Sequence, residues 1–325
     1  MSAGGHPTNR RLRVEFIVSL AILLGVAVLP AVVTNAYWQG VIVVSMYFAM
    51  LAIAWNILAG YTGQFSLAPA AFGMIGAYAT GLLAYYYNTG FAIGIPAAIL
   101  VSGFIGLVLG RIVLRLRGPY LALTTLSFAE IMRLVISNSI DFTRGDLGLN
   151  VPGIFQDRLP YYYMMVLVLL AIQAGLFYLL RSRAGLYLRA IRDDEIAAAS
   201  RGVRIVYWKT FAFTLSAAIC GLAGALYGHF AHFVSPELGL LQQTGVVISM
   251  VVIGGLGTMV GPLIGALLVY VASEFLRDVG NYQLVVFALL VIIFARFFRA
   301  GLWGIVLAIF GAKRARPAAV APAAE

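Results

Sequence analysis

Apolar stretches of about twenty residues, the length of helix that crosses a bilayer's hydrocarbon, alternate along this chain with short polar breaks. The pattern predicts ten membrane helices, over residues 14–33, 38–59, 70–87, 91–110, 120–138, 161–180, 210–231, 244–256, 261–276 and 283–298. The breaks differ in kind. Residues 181–209 form a long, highly charged one, whereas those near 60–69 and 254–262 lack charge but are crowded with glycine and polar side chains. The break 139–160 scatters Asp141, Arg144, Asp146, Asp157 and Arg158 among glycines and prolines.

The charged break, RSRAGLYLRAIRDDEIAAASRGVRIVYWK, sets basic residues, Arg189 and Arg192 among them, around an acidic step of Asp193, Asp194 and Glu195. That step predicts a helix start, with Asp193 as the cap accepting the first free N–H groups and Asp194 and Glu195 at the positive end of the helix dipole. The run IAAAS continues the helix, Arg201 suits its last turn, and Gly202 can take the left-handed conformation that ends it. A helix of about two turns does not hold alone in water. This one needs a surface, and a small face of Ala197, Ala198 and Ser200 suits close packing. The alternative is a solvated basic loop kept in the cytoplasm by its charge.

The chargeless breaks carry Asn56, Gly60, Gly63, Gln64, Ser66 and Pro69 in one case and Gly254, Gly255 and Gly257 in the other. Interrupted backbone at membrane depth is tolerated only where protein covers it or water fills a cavity beside it. These residues are therefore candidates for a translocation path, with a tight turn between adjacent spans as the alternative. Their shared glycine punctuation hints at an internal repeat. Glu130 and Arg133 lie three apart in one span and share a helical face. Charges there are costly, so an intramembrane ion pair is predicted, with the lining of an outer vestibule as the sharper reading. His229 and His232 find no third ligand, and the single cysteine, Cys220, lies inside a span, so no metal site or disulfide is predicted.

Composition agrees with the pattern. Hydrophobic residues make up 62% of the 325 and charged ones 10%, against about 25% charged in soluble domains. The fold class is an all-α polytopic membrane protein. A net charge of +10 would suit nucleic acid, but its distribution decides otherwise. With a cytoplasmic N-terminus, eighteen basic residues fall inside and only Arg144, Arg158 and Arg277 outside. This positive-inside bias needs no nucleic-acid partner and places both termini in the cytoplasm. The first span lacks a cleavage site and is read as an uncleaved helix. No ATP-binding loop occurs, since Trp208 precedes Lys209 and Thr210 where that loop requires glycine. No nucleophile elbow, HExxH or catalytic carboxylate pair occurs either, so no catalytic residues are assigned.

The string LRAIRDDEIAAASRGV resembles the cytoplasmic coupling loop of the inner-membrane permeases of branched-chain amino-acid ABC importers, the LivM and LivH type, with Glu195, Ala197, Ala198 and Gly202 at matching positions. NILAGYTGQFSLAPAAFGMIGAY looks like the LivM signature, with Ala68, Pro69 and Ala70 where many relatives have Gly-His-Ala. RLRGPYLALTTLSFAEIMRLVISN is similar to the family's basic segment and following helix. The resemblance implies a permease subunit in the bacterial inner membrane that admits branched-chain amino acids, or a related small polar solute such as an amide or urea, by ATP-driven alternating access. It implies a LivH-like second permease, a periplasmic binding protein, and two cytoplasmic ATPases that hold ATP and Mg and receive the coupling loop. No cofactor is expected on this chain. The expected organisation is a cytoplasmic lead over 1–13, a permease domain over 14–311 with its coupling loop at 181–209, and a disordered tail over 312–325. A self-sufficient channel or ion-coupled carrier is the alternative, with Glu130 as the only obvious coupling carboxylate.

Overall fold

In the computed structural model, residues 7–113, 118–155, 157–276, 292 and 301–304 are described. The fold is built around α2 (Ala36–Thr62), apolar on every side and with 89% of its most apolar window buried. A helix hydrophobic all round belongs inside a bundle. Before it comes α1 (Pro7–Val32), which starts at Pro7 and so draws Arg11 into the helix that was expected from residue 14. After it come α3 (Pro69–Tyr87), α4 (Phe91–Val113) and α5 (Pro119–Asn138). The short α6 (Ile140–Thr143), a 3-10 turn and β1 (Leu149–Asn150) structure the following loop.

α7 (Arg158–Arg181) then leads into α8 (Arg183–Asp193) and α9 (Glu195–Ser200), so the charged break is two helices rather than a loop with one. α10 (Ile205–Ala231), β2 (Phe233–Val234), α11 (Leu241–Gly254) and α12 (Gly261–Phe275) follow. Among the described residues six helices, α1, α2, α4, α5, α7 and α10, are long and apolar enough to cross a membrane. The predicted span 283–298, apart from Ile292, and the tail 312–325 lie outside the described residues.

Small residues set the helix spacing. A Cβ on Gly224 of α10 would overlap the Gly73 carbonyl of α3, and one on Gly76 would overlap Gly221. Gly106 of α4 is filled in the same way by Ala217 of α10. The α3, α10 and α4 backbones therefore approach closely, which in a membrane supplies the van der Waals contact that an apolar solvent cannot replace. His229 secures the far end of this stack: its ring nitrogens lie 2.8 Å from Thr80 Oγ1 and 2.8 Å from the Pro152 carbonyl.

Beyond α10 the chain re-enters the bundle. β2 pairs antiparallel with β1, Val234 packs against Gly81 and Gly228, and a 3-10 turn (Pro236–Gly239) brings Gly239 against the Met74 sulfur. α11 thus begins part-way along α3 and, with 14 residues, runs roughly 21 Å. It overlaps the helix expected over 244–256, starts three residues earlier, and is shorter than the roughly twenty residues that cross a bilayer.

Gly224→Leu should destabilise the chain by at least the ~1–3 kcal/mol of ordinary overpacking, because the obstacle is backbone. Gly175→Leu, at a position with open space around its Cβ direction, should be tolerated. Fluorescence-detected size-exclusion after graded heating measures both; equal melting profiles would contradict the close packing.

Candidate functional site

The two glycine connections meet at the end of the bundle that carries α8. The first begins where Gly63 takes φ 70°, its N–H returning to the Leu58 carbonyl. Trp55 Nε1 donates to the Ser66 carbonyl at 2.7 Å, Leu67 N–H donates to Thr125 Oγ1 at 2.9 Å, and Pro69 opens α3. In the second, Gly255 (φ 129°) and Gly257 (φ 73°) carry the chain away from α11.

Side chains from three other helices satisfy this second stretch of backbone. Asn56 of α2 donates from Nδ2 to the Thr258 carbonyl at 2.8 Å and accepts the Gly257 N–H on Oδ1 at 2.8 Å. Glu15 of α1 accepts the Met259 N–H at 2.9 Å, and Gln173 of α7 donates to the Met259 carbonyl at 3.2 Å. Glu15 is also held by Arg11 and by Trp303 Nε1. Each buried peptide group left unpaired would cost about 1–3 kcal/mol, so the brackets are what allow α11 to break here.

Arg192 joins the connections to the charged helices. Its Nη1 donates to the Gly60 carbonyl at 2.5 Å, and a Cβ on Gly257 would come within 2.7 Å of the same nitrogen. Gly60 has no room for a side chain either, since its Cβ position is taken by Asn56 Oδ1 with Gly257 N 2.8 Å away. A cation also suits the negative end of the α2 dipole, where Gly60 lies. The last turn of α8 therefore touches both connections at one point.

α8 buries Gly185, Leu188 and Ile191 along one face, a three-residue spacing that its many charges obscured in the sequence. Arg189 bonds back to the carbonyls of Gly185 and Leu180, closing the α7–α8 turn. The cap of α9 is Asp194, not Asp193: its Oδ1 accepts from Ile196 and Ala197, while Asp193 ends α8. Gly202 (φ 82°) and Val203 return their N–H groups to Ala199 and Ala198, a Schellman-type stop. Ala198 faces inward at 4% exposure, Glu195 is paired with Lys209 at 2.9 Å, and Ile196 stands out at 70% exposure. The expected outward face of Ala197, Ala198 and Ser200 is corrected to one led by Ile196, with Ala197, Ala199 and Ser200 beside it.

Of the residues expected to line a path, Asn56, Gly60, Gln64, Ser66, Pro69, Gly254 and Gly255 are buried inside the chain, and Gly63 and Gly257 reach its surface beside Arg192. Gly254 packs against Gly261 and Gly265 of α12. The structure gathers Asn56, Gly60, Gly63, Gly257 and Arg192 into the junction. Glu130 and Arg133 stand apart from it on α5, where Arg133 binds Glu130 through Nε at 3.1 and 3.2 Å and through Nη2 at 2.5 Å. Glu15 and Gln173 were missed. A carboxylate in the first turn of one apolar span and an amide in the middle of another are each costly in hydrocarbon, and that cost was the available signal.

The sequence profile of the branched-chain amino acid transport system permease component matches residues 37–295. The chain belongs to that family. It is 34% identical over 270 residues to the high-affinity branched-chain amino acid transport system permease protein LivM of Salmonella typhimurium, covering 74% of this chain and 64% of that one. It is 25% identical over 285 residues to the LivH permease protein of the same-named system in Escherichia coli, covering 78% of this chain and 92% of that one. A 127-residue stretch is 40% identical to the fructose import permease protein FrcC of Rhizobium meliloti, covering 37% of this chain and 34% of that one. The chain thus spans under two thirds of the length of the LivM relatives. No solved structure matches it.

Asn56→Asp keeps the acceptor for Gly257 but removes the donor to Thr258, and should cost about 1–3 kcal/mol. Glu15→Gln keeps the acceptor for Met259 and should cost less than Glu15→Ala. Thermal unfolding in detergent ranks the three; wild-type stability for Asn56→Asp would remove the bracket from the account.

Proposed function

We propose that this family member is the membrane-spanning permease subunit of a binding-protein-dependent ABC importer in a bacterial inner membrane. Its cargo is a branched-chain amino acid or a related small polar solute, and its partners are a second permease, two ATPases that hold ATP and Mg, and a binding protein on the outer side. Both termini and the α8–α9 pair face the cytoplasm in this reading. Similarity to the LivM and LivH permease proteins supports the transport class, and the positive-inside distribution of arginine supports the orientation.

The observation that carries the mechanism is the Arg192 contact with Gly60 beside Gly257. α9 offers Ile196, Ala197, Ala199 and Ser200 to an ATPase groove, while Ala198 and the Glu195–Lys209 pair fix α9 to its own chain. Movement of the ATPase then turns α9 and α8 together. Because Arg192 touches both glycine connections, that movement shifts the ends of α2 and α11 as one unit, a physical link between nucleotide state and the spans. The buried residues of the connections act as the seat of this lever.

Ile196→Asp should reduce co-purification of the ATPases, whereas Arg192→Ala should retain them and lower uptake by about tenfold or more, within the usual range of coupling effects. Arg192→Lys, which keeps one donor, should fall between. Radiolabelled uptake and ATPase recovery from membranes give both readings. Full uptake in Ile196→Asp and Arg192→Ala alike would overturn the lever.

A further inference from the structure

α2 is sealed by protein along most of its length, but its first turn is not. Tyr37 is 49% exposed and Trp38, Gln39 and Gly40 are only partly covered, whereas Val41, Ile42 and Val43 are buried. The gap is a cavity of about 460 Å³ at the end of the bundle opposite α8. That size lies within the roughly 300–1,000 Å³ of small-molecule sites. The starts of α2 and α7 and the ends of α10 and α12 form its walls, and α5 with its Glu130–Arg133 pair takes no part.

Two carboxylates and two basic side chains stand at the cavity, Asp157 and Glu274 with Arg158 and His232. Glu274 accepts a hydrogen bond from the Tyr37 hydroxyl. Arg158 Nη1 donates to the Ala36 carbonyl at 2.8 Å, which leaves further guanidinium donors beside the cavity. Asp157 heads α7 without capping it. A cap ordinarily accepts from the second or third residue of its helix, and the third here is Pro160, which has no N–H. The Asp157 carboxylate is exposed and bonds to nothing among the described residues. Below the charges lie aromatic rings. The Tyr161 hydroxyl is used up on Ile154 and His229, so its ring is what it offers. Phe230 meets that ring edge to face at 5.7 Å, and Tyr270 stacks on Phe48 at 5.3 Å.

Such a site selects by its pattern of charge. Carboxylates set against cations disfavour a ligand of one sign, and rings beside a carboxylate favour an ammonium. A short chain with an ammonium and an anion meets both demands. Depth identifies the source. At the same level Tyr37 meets Trp38 at 5.8 Å and Trp38 meets Phe275 at 4.9 Å between ring centroids, an aromatic belt of the kind that marks lipid headgroups. A bilayer supplies lipid at that level in excess over any dissolved zwitterion.

We propose that the cavity binds the phosphoethanolamine headgroup of a membrane lipid, its ammonium among Asp157, Glu274 and the rings, its phosphate toward Arg158 and His232. The headgroup then ties the starts of α2 and α7 to the ends of α10 and α12, closing the one turn of α2 that protein leaves open. This goes beyond the permease reading and requires only that the helices span a bilayer.

The test uses the full chain, purified with the subunits that accompany it and reconstituted in phosphatidylglycerol vesicles. Trace lipids with a diazirine next to the glycerol are added, bearing ethanolamine, choline or glycerol headgroups, and labelled peptides are identified by mass spectrometry. The ethanolamine lipid should label residues 36–44 and 157–161 severalfold more than the glycerol lipid. The choline lipid should fall between, since it keeps the cation but donates no hydrogen bond. Asp157→Asn, which breaks no bond of the folded chain, and Val44→Phe, which fills the cavity, should each lower the ethanolamine labelling severalfold. Asp141→Asn, at the same end but outside the cavity, should not. Equal labelling by all three lipids would mean ordinary boundary lipid and overturn the proposal. Displacement of the label by millimolar leucine would overturn it too, by making the cavity a site for a free amino acid, as would labelling unchanged in both cavity variants. Selective labelling in a preparation that takes up no solute would leave the proposal standing and count against the permease reading. Active uptake without selective labelling would do the reverse.

Discussion

A peptide group inside a membrane has no water to bond, and the rest of this structure depends on how that requirement is met where helices break. At the 255–260 connection Asn56, Glu15 and Gln173 substitute for the missing helical partners, from three different helices. The arrangement fixes more than the connection. It ties α1, α2 and α7 to the point where α11 ends, and so sets which polar residues those helices must carry in otherwise apolar sequence.

The same constraint explains the glycines nearby. Gly60 and Gly257 are bare because Asn56 and Arg192 occupy the space their side chains would need. The guanidinium of Arg192 reaches Gly60 from a helix whose own position is set by three buried residues and by the closed α7–α8 turn. A polar bracket, a pair of bare backbones and one arginine thus form a continuous path from the charged helices to the membrane bundle. Elsewhere glycine does a different job: at the crossings of α3 and α4 with α10 it permits the close approach of the helices.

The ionised groups divide in the same way. Glu15 is buried and bonded to backbone and ring N–H groups, so its charge organises the chain internally. Glu130 is paired but remains half open to the surroundings of α5, so its environment is completed by whatever lies outside this chain. A carboxylate in an apolar span can therefore hold an interior together or mark a surface, and burial tells the two apart.

The sequence by itself determined the membrane class, the positions of the long apolar helices among the described residues, the helix stop at Gly202, the pairing of Glu130 with Arg133 and, through local motifs, the family. These are properties of near neighbours along the chain: apolar length, an i, i+3 spacing, a glycine able to take positive φ. Only the tertiary structure decided that Asp194 rather than Asp193 caps α9, that Ala198 faces inward, and that α11 begins inside the bundle. Two adjacent aspartates offer the same oxygen chemistry, and two adjacent alanines the same small face, so the choice between them rests on where α8 ends and what α10 covers. The bonds from Asn56, Glu15, Gln173 and Arg192 join residues far apart in the chain. No periodicity encodes such pairs, because each exists only once packing has brought a broken backbone within reach of a side chain.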